Sequence, residues 1–143
     1  MPGTNVVAAK KALLAIVADT PALRGVQALY QWTGEAEREV IFCGKARFER
    51  ENADMAADPA ETLTIDLHVG VAFPGGSAEE AETRAVQIGA LIEAALTADP
   101  RLGERVPGLL FAEIASGEAD VVPYDEEVRA EIVYQVSLLS HLR

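Results

Sequence analysis

The sequence predicts an α+β domain in which a mostly antiparallel sheet of about five strands carries two helices packed on one face. Two segments have apolar residues at helical spacing, and the remaining apolar segments alternate or run continuously as strands do. The two kinds of segment follow one another as helix, three strands, helix and two strands, which is typical of this class. A chain of 143 residues, 50% of them hydrophobic, is expected to form a single domain over residues 1–143.

The first predicted helix covers residues 5–19. Val6, Leu13 and Val17 recur along one side of it, so this side is expected to face the core. Thr20 and Pro21 end the helix, because the residue before a proline is pushed out of the helical region.

Two strands are predicted next, and a long connection follows them. Residues 24–32 alternate in polarity and residues 39–44 form a short apolar run, and the turn signal at residues 33–35 predicts that the two pair as a hairpin. Residues 45–61 are charged and weakly periodic, which predicts a long loop. Loops of that length inside a compact domain are usually functional or disordered.

The strongest predicted strand covers residues 62–73. Its odd-numbered positions are all apolar: Leu63, Ile65, Leu67, Val69, Val71 and Phe73. Six alternations in a row predict a strand with one buried face. Two glycines after Pro74 break it, and a helix over residues 77–99 is predicted to begin with a capping box of Ser77 and Glu80.

Two further strands, over residues 108–116 and 128–139, are predicted to complete the sheet. The face of the sheet away from the helices then carries polar and apolar residues together: Asp66, His68, Gly70, Ala72, Glu131, Val133 and Gln135. Such a mixture suits a hydrated surface or a contact between subunits.

Composition excludes several classes of function. The chain has 23 acidic and 12 basic residues and a formal net charge of −11, which argues against a protein that grips duplex nucleic acid. One cysteine and two histidines leave no internal disulfide and no multi-cysteine zinc site. No signal peptide and no apolar run long enough to cross a membrane is found in the sequence, so no membrane partner is expected.

Candidate catalytic groups are few. Cys43 could act as a nucleophile with a histidine base, and Asp66 could orient His68 as a general base. A buried thiol and a polar strand face explain the same residues more simply. The acidic residues between 113 and 131 lack the spacing of a calcium loop, and residues 74–77 lack a phosphate-loop lysine. The chain is therefore expected to be no enzyme and to hold no cofactor or metal.

The predicted loop over residues 45–61 contains the most suggestive surface residues. Arg47, Phe48, Arg50 and Met55 alternate there with acidic residues, a pattern that suits either a protein-binding arm or a plain surface loop. Candidate interface residues also lie on the polar sheet face and the last strand. The complete candidate interface consists of Arg47, Phe48, Arg50, Met55, Asp66, His68 and Arg129.

The pattern as a whole resembles the tail terminator, or tail completion, family of long-tailed bacteriophages, prophages and phage-derived particles. The resemblance covers nearly the full chain. It rests on the short first helix that ends near Thr20-Pro21, the predicted hairpin of residues 26–32 and 40–44, the charged stretch of residues 45–58 and the strand Leu63-Thr-Ile-Asp-Leu-His-Val-Gly-Val. The segment Ser77-Ala-Glu-Glu-Ala-Glu-Thr-Arg-Ala, the Asp-Pro stop of its helix, and the final strand Arg129-Ala-Glu-Ile-Val-Tyr-Gln-Val complete it.

This resemblance implies a structural ring, usually a hexamer, that caps the head-proximal end of the tail tube. Such a ring stops tube polymerisation and offers the surface for joining the head. The implied partners are further copies of the chain, the tail tube protein and a head-completion or neck protein, while DNA passes through the ring without sequence-specific binding. The implied location is the virion tail, with assembly in the host cytoplasm.

Two alternatives stay open from the sequence. The chain could be another neck or head-completion component, because such proteins share small α+β folds. It could also be a small enzyme or ligand-binding domain that uses the sheet face around Asp66 and His68.

Overall fold

The computed structural model describes residues 3–34, 38–51, 60–124 and 127–141. It contains two α-helices and one sheet of five strands, which confirms the predicted α+β class. The elements are α1 (Val6–Ala18), β1 (Gln27–Leu29), β2 (Glu39–Glu51), β3 (Ala60–Pro74), α2 (Ala78–Ala98), β4 (Leu109–Tyr124) and β5 (Glu127–His141). The strand order is β1-β2-β3-β5-β4, and every pair except β1 with β2 is antiparallel.

The predicted hairpin of residues 24–32 and 39–44 is wrong. Only Gln27–Leu29 forms a strand, and it runs parallel to β2, with Gln27 opposite Val40 and Leu29 opposite Phe42. Alternating polarity indicates a strand but carries no information on the direction of its partner. The tight turn that the hairpin required joins antiparallel strands only, so it cannot connect this parallel pair.

The predicted loop over residues 45–61 is also wrong for most of its length. β2 continues to Glu51 and β3 begins at Ala60, so Arg47, Phe48 and Arg50 lie on a strand. A bulge between Cys43 and Ala46 shifts the alternation by one position, and the following residues are mostly exposed. The side-chain pattern of a strand is therefore lost while the backbone pairing with β3 continues. Residues 52–59 lie outside the described part of the chain.

β3 is the central strand of the sheet, and it buries one face as the alternation of residues 62–73 predicts. Ile65 and Val69 are fully buried, whereas Asp66 and His68 on the opposite face are only half-buried. The buried side of β3 joins side chains of both helices in one apolar cluster. α1 contacts β1, β2 and β3, while α2 contacts β3, β4 and β5.

α2 begins as predicted. The Ser77 hydroxyl accepts a hydrogen bond from the Glu80 backbone N–H at 3.1 Å, and the helix starts at Ala78. Small residues let the helix lie close to the sheet, above all Gly89, whose Cα approaches the phenol of Tyr134 on β5. Burial raises the pKa of that phenol, and the nearby carboxylate of Glu93 raises it further.

The start of α1 is held by a carboxylate from the sheet. Glu61 on β3 is completely buried, and its Oε1 accepts hydrogen bonds from the Thr4 hydroxyl and the Asn5 backbone N–H, both at 3.1 Å. Its Oε2 lies 3.5 Å from Nε of Arg50 on the paired position of β2. Asn5 makes no side-chain cap of its own, so Glu61 supplies the anion that the N-terminus of a helix favours.

Candidate interface on the second sheet face and the sheet edges

A row of aromatic rings crosses the sheet face that carries Asp66 and His68, which we call the second sheet face. The Phe42 ring stacks on the His68 ring with centroids 4.5 Å apart, and the Trp32 ring packs on Phe42 at 5.2 Å. The guanidinium of Arg129 lies 5.6 Å from the Trp32 ring centroid, within cation–π range. Trp32 is 42% exposed, so this row is a solvent-accessible apolar feature within a polar surface.

The structure does not show the pairing in which Asp66 would orient His68, a possibility that the sequence left open. In the described part of the chain, the carboxylate near the imidazole is that of Glu131, whose Oε1 lies 3.5 Å from Nδ1 of His68. The geometry is not that of a hydrogen bond, and Nδ1 is buried without a hydrogen-bond partner among the described atoms. Asp66 therefore does not orient His68 as a base, although both residues lie beside the same groove.

Two shallow grooves flank the aromatic row. One, of about 400 Å³, is lined by Asp66, His68 and Gln135 together with Ser116, Gly117, Glu118 and Val133. The other, of about 360 Å³, is lined by Trp32, Phe42, Gly70, Arg129 and Glu131. Mixed polar and aromatic lining on a strand face is typical of protein–protein contacts.

Cys43 lies on the other side of the sheet, in the apolar core. It is buried, and burial raises the pKa of its thiol to about 11, an effect that the ammonium of Lys10 reduces but does not cancel. It therefore lies away from the His68 groove and carries little thiolate near neutral pH.

We expect the Cys43 thiol to be unreactive in the folded protein. With the pKa at about 11, roughly one thiol in a thousand is ionised at pH 8, and the sulfur is also shielded from reagents. Labelling with Ellman's reagent at pH 8 should be at least about a hundredfold slower for the native protein than for the protein unfolded in guanidinium chloride. Equal rates in the two states would contradict the buried placement.

The predicted interface residues on β2 occupy different surroundings. Phe48 pairs with Leu63 on the core side of the sheet yet is 49% exposed, and the Arg50 guanidinium lies 5.5 Å from its ring centroid. Arg50 also pairs with Glu61, so part of its role is structural, a role that the sequence did not reveal. Arg47 is exposed on the opposite side. Met55 lies outside the described residues.

The sheet has two exposed edges of different charge. Among described residues, β4 pairs only with β5, and β2 beyond Phe42 pairs only with β3. β4 carries Glu113, Glu118 and Asp120 and no lysine or arginine. The segment of β2 from residue 43 to residue 51 carries Lys45, Arg47 and Arg50 together with Glu49 and Glu51.

Within the described ranges the structure shows neither a metal-binding cluster nor a membrane-spanning helix. No group of three or more histidine, cysteine, aspartate and glutamate side chains there is placed to hold a metal ion. No described helix is both long and apolar enough to cross a membrane.

Comparison with known proteins shows similarity at the level of the fold. No family model matches the chain, and no curated protein matches it. Among solved structures, it is similar to a chain in the virion of a native gene transfer agent (GTA) particle, with a TM-score of 0.50 and 14% sequence identity. The similarity covers 97% of this chain and 100% of that chain. At this identity the two chains share a fold.

Proposed function

We propose that this chain is a non-enzymatic structural protein of a phage-type virion and, more specifically, a tail terminator. The observation that carries the proposal is the end-to-end fold similarity to a chain of a GTA virion, since neither chain has a large part that the other lacks. The resemblance of the sequence to tail terminators supports the finer assignment through the first helix, the strand from Leu63, the capped second helix and the last strand, but not through the predicted hairpin and loop.

The surface of the molecule suits assembly better than catalysis. The residues that could have formed a catalytic group are separated, because Cys43 lies in the core while His68 lies on the second sheet face. That face instead presents an exposed tryptophan, a stacked aromatic row and charged groups of both signs. Large exposed aromatic side chains beside arginine are enriched where proteins bind one another.

In this proposal the chain forms a ring, usually of six copies, on the head-proximal end of the tail tube. One side of the ring contacts the tube protein and stops its polymerisation, and the other contacts a head-completion or neck protein. DNA passes through the ring without sequence-specific binding. The net charge of −11 on each copy disfavours adhesion of the DNA to the inner wall of the ring. The protein acts in the virion tail and assembles in the host cytoplasm.

The test is removal of the gene from the genome of its particle, with electron microscopy of the products. Loss of a tail terminator is expected to yield overlong tails without heads, because nothing then stops the tube at its set length. Supply of the wild-type chain in trans should restore tails of uniform length joined to heads.

Other outcomes separate the alternatives. Tails of normal length without heads would favour another neck or head-completion component over a terminator. Normal tails with intact heads would contradict a structural role in the virion altogether.

A further inference from the structure

We propose that neighbouring copies join edge to edge, with the outer edge of β4 in one copy paired to the outer edge of β2 in the next. The sheet would then continue from subunit to subunit. The pairing itself is argued from the two edges below, while its closure into a ring rests on the proposed function.

Both edges lack a second strand, although on β4 the Val121 N–H already donates to the carboxylate of Asp120 at 2.8 Å. β4 has a strand partner only on its β5 side, and beyond the irregularity at Ile114–Ser116 its pairing with β5 is regular from Ser116 onward. β1 covers only three residues of β2, so after its bulge β2 has a second regular run from Ala46 to Glu51, paired only with β3 among the described residues. Strands with unsatisfied backbone N–H and C=O groups are templates for another strand.

The direction of the junction follows from the sheet. Each of the pairs β2–β3, β3–β5 and β5–β4 is antiparallel, so β4 runs opposite to β2 within one copy. When copies related by rotation continue the sheet, β4 therefore lies antiparallel to β2 of the next copy. This is also the pairing mode that prevails in the rest of the sheet.

One register of this strand pair gives favourable side-chain contacts on both faces of the sheet. It places Arg47 of one copy opposite Glu118 of the next, both on the second sheet face, as an opposite-charge pair. It also places Phe48 opposite Gly117 on the core side. Gly117 and Ala119 are both small and exposed there, so the half-exposed Phe48 ring would cover them.

Charge opposes one of the other ways of joining two edges. Pairing β4 with β4 would bring Glu118 and Asp120 against the same residues of the partner, because β4 carries no basic residue. Like charges directly opposite one another destabilise a strand pair. Pairing β2 with β2 can set Arg47 against Glu49, but it leaves the β4 edge without a partner. The head-to-tail contact is the one that gives both edges a partner, and head-to-tail contacts close into rings when their rotation allows it.

Disulfide cross-linking tests the register. In a Cys43→Ala background, which removes the one native cysteine, the double variant Arg47→Cys/Glu118→Cys would place two thiols opposite each other. Opposite Cα atoms of antiparallel strands lie about 4.5–5.5 Å apart, within the range that a disulfide spans. Mild oxidation with copper–phenanthroline is expected to give a ladder of oligomers on a non-reducing gel.

The matched control is Arg47→Cys/Ala119→Cys, which moves one thiol by a single residue to the opposite face. It is expected to cross-link at least about tenfold more slowly, because side chains on opposite faces of a sheet point apart. Circular dichroism checks that each variant is folded. Equal ladders from the two variants, or no ladder at about 1 mM protein, where even a weak contact is populated, would overturn the proposal.

Charge reversal gives an independent readout by sedimentation of the wild-type and variant proteins. Arg47→Glu and Glu118→Arg should each weaken association about tenfold, and the variant that carries both changes should recover it. Equal losses in the single and combined variants would contradict the pairing of these residues. If the contact fails these tests while gene removal still gives overlong headless tails, the proposed function stands and this interface is contradicted. If the variants cross-link as expected while gene removal leaves tails and heads normal, the interface stands and the proposed function is contradicted.

Discussion

Replacement of Glu61 by alanine is expected to lower the free energy of unfolding by about 3 kcal/mol. The carboxylate is completely buried and accepts hydrogen bonds from the Thr4 hydroxyl and from the backbone N–H of Asn5, the residue that precedes α1, so its removal leaves two donors without an acceptor. It also leaves Arg50 without its partner, although that guanidinium is 32% exposed and water recovers part of the loss. Urea unfolding followed by circular dichroism measures the change.

Two variants separate the causes of that loss. Glu61→Gln retains an oxygen that can accept hydrogen bonds from Thr4 and Asn5. It should therefore lower the free energy of unfolding by only about 1 kcal/mol, which is the contribution of the negative charge to these bonds. Glu51→Ala, at an exposed glutamate on the neighbouring strand, should change stability by less than about 0.5 kcal/mol. A loss in Glu61→Ala no larger than that in Glu51→Ala would show that the buried carboxylate does not hold α1.

Replacement of Gly89 by alanine is expected to destabilise the fold by about 2–3 kcal/mol. In an exposed helix the same change would stabilise by about 1 kcal/mol, so the sign of the effect is diagnostic. A Cβ at position 89 would overlap the hydroxyl of Tyr134 and would lie 2.8 Å from its Cε2, which forces α2 away from β5. Thermal unfolding gives the sign directly.

A double-mutant cycle attributes the effect to this contact. Tyr134→Ala removes the obstruction, so Gly89→Ala/Tyr134→Ala should lose about 2 kcal/mol less than the two single losses added together. Ala90→Gly, at the exposed neighbouring position, should cost about 1 kcal/mol through helix propensity alone. Additive losses in the cycle would mean that the close approach of α2 to β5 is not what requires glycine.

The candidate interface was predictable only in part. Arg47, Phe48 and Arg50 were singled out correctly as surface residues, but they were assigned to a loop, since a bulge and exposure on both faces hide the period of a strand. Trp32, Phe42 and Glu131 were not among the predicted interface residues. Their contacts with His68 and Arg129 join segments far apart in the chain, so no spacing in the sequence reveals them.

Local patterns determined the elements that depend on neighbouring residues. The alternation from Leu63 to Phe73 determined the central strand and its buried face, because side-chain direction in a strand repeats every two residues. Ser77 and Glu80 determined where α2 begins, because the capping hydrogen bonds form within one turn.

The tertiary structure alone decided how those elements meet. The parallel pairing of β1, the extension of β2 along β3 and the position of Glu61 beneath α1 all join residues distant in sequence. Such contacts depend on which pairing buries the most apolar surface while it satisfies each buried polar group, a property of the whole chain and not of any segment. The two free edges of the sheet follow from the same strand order, which no single segment encodes.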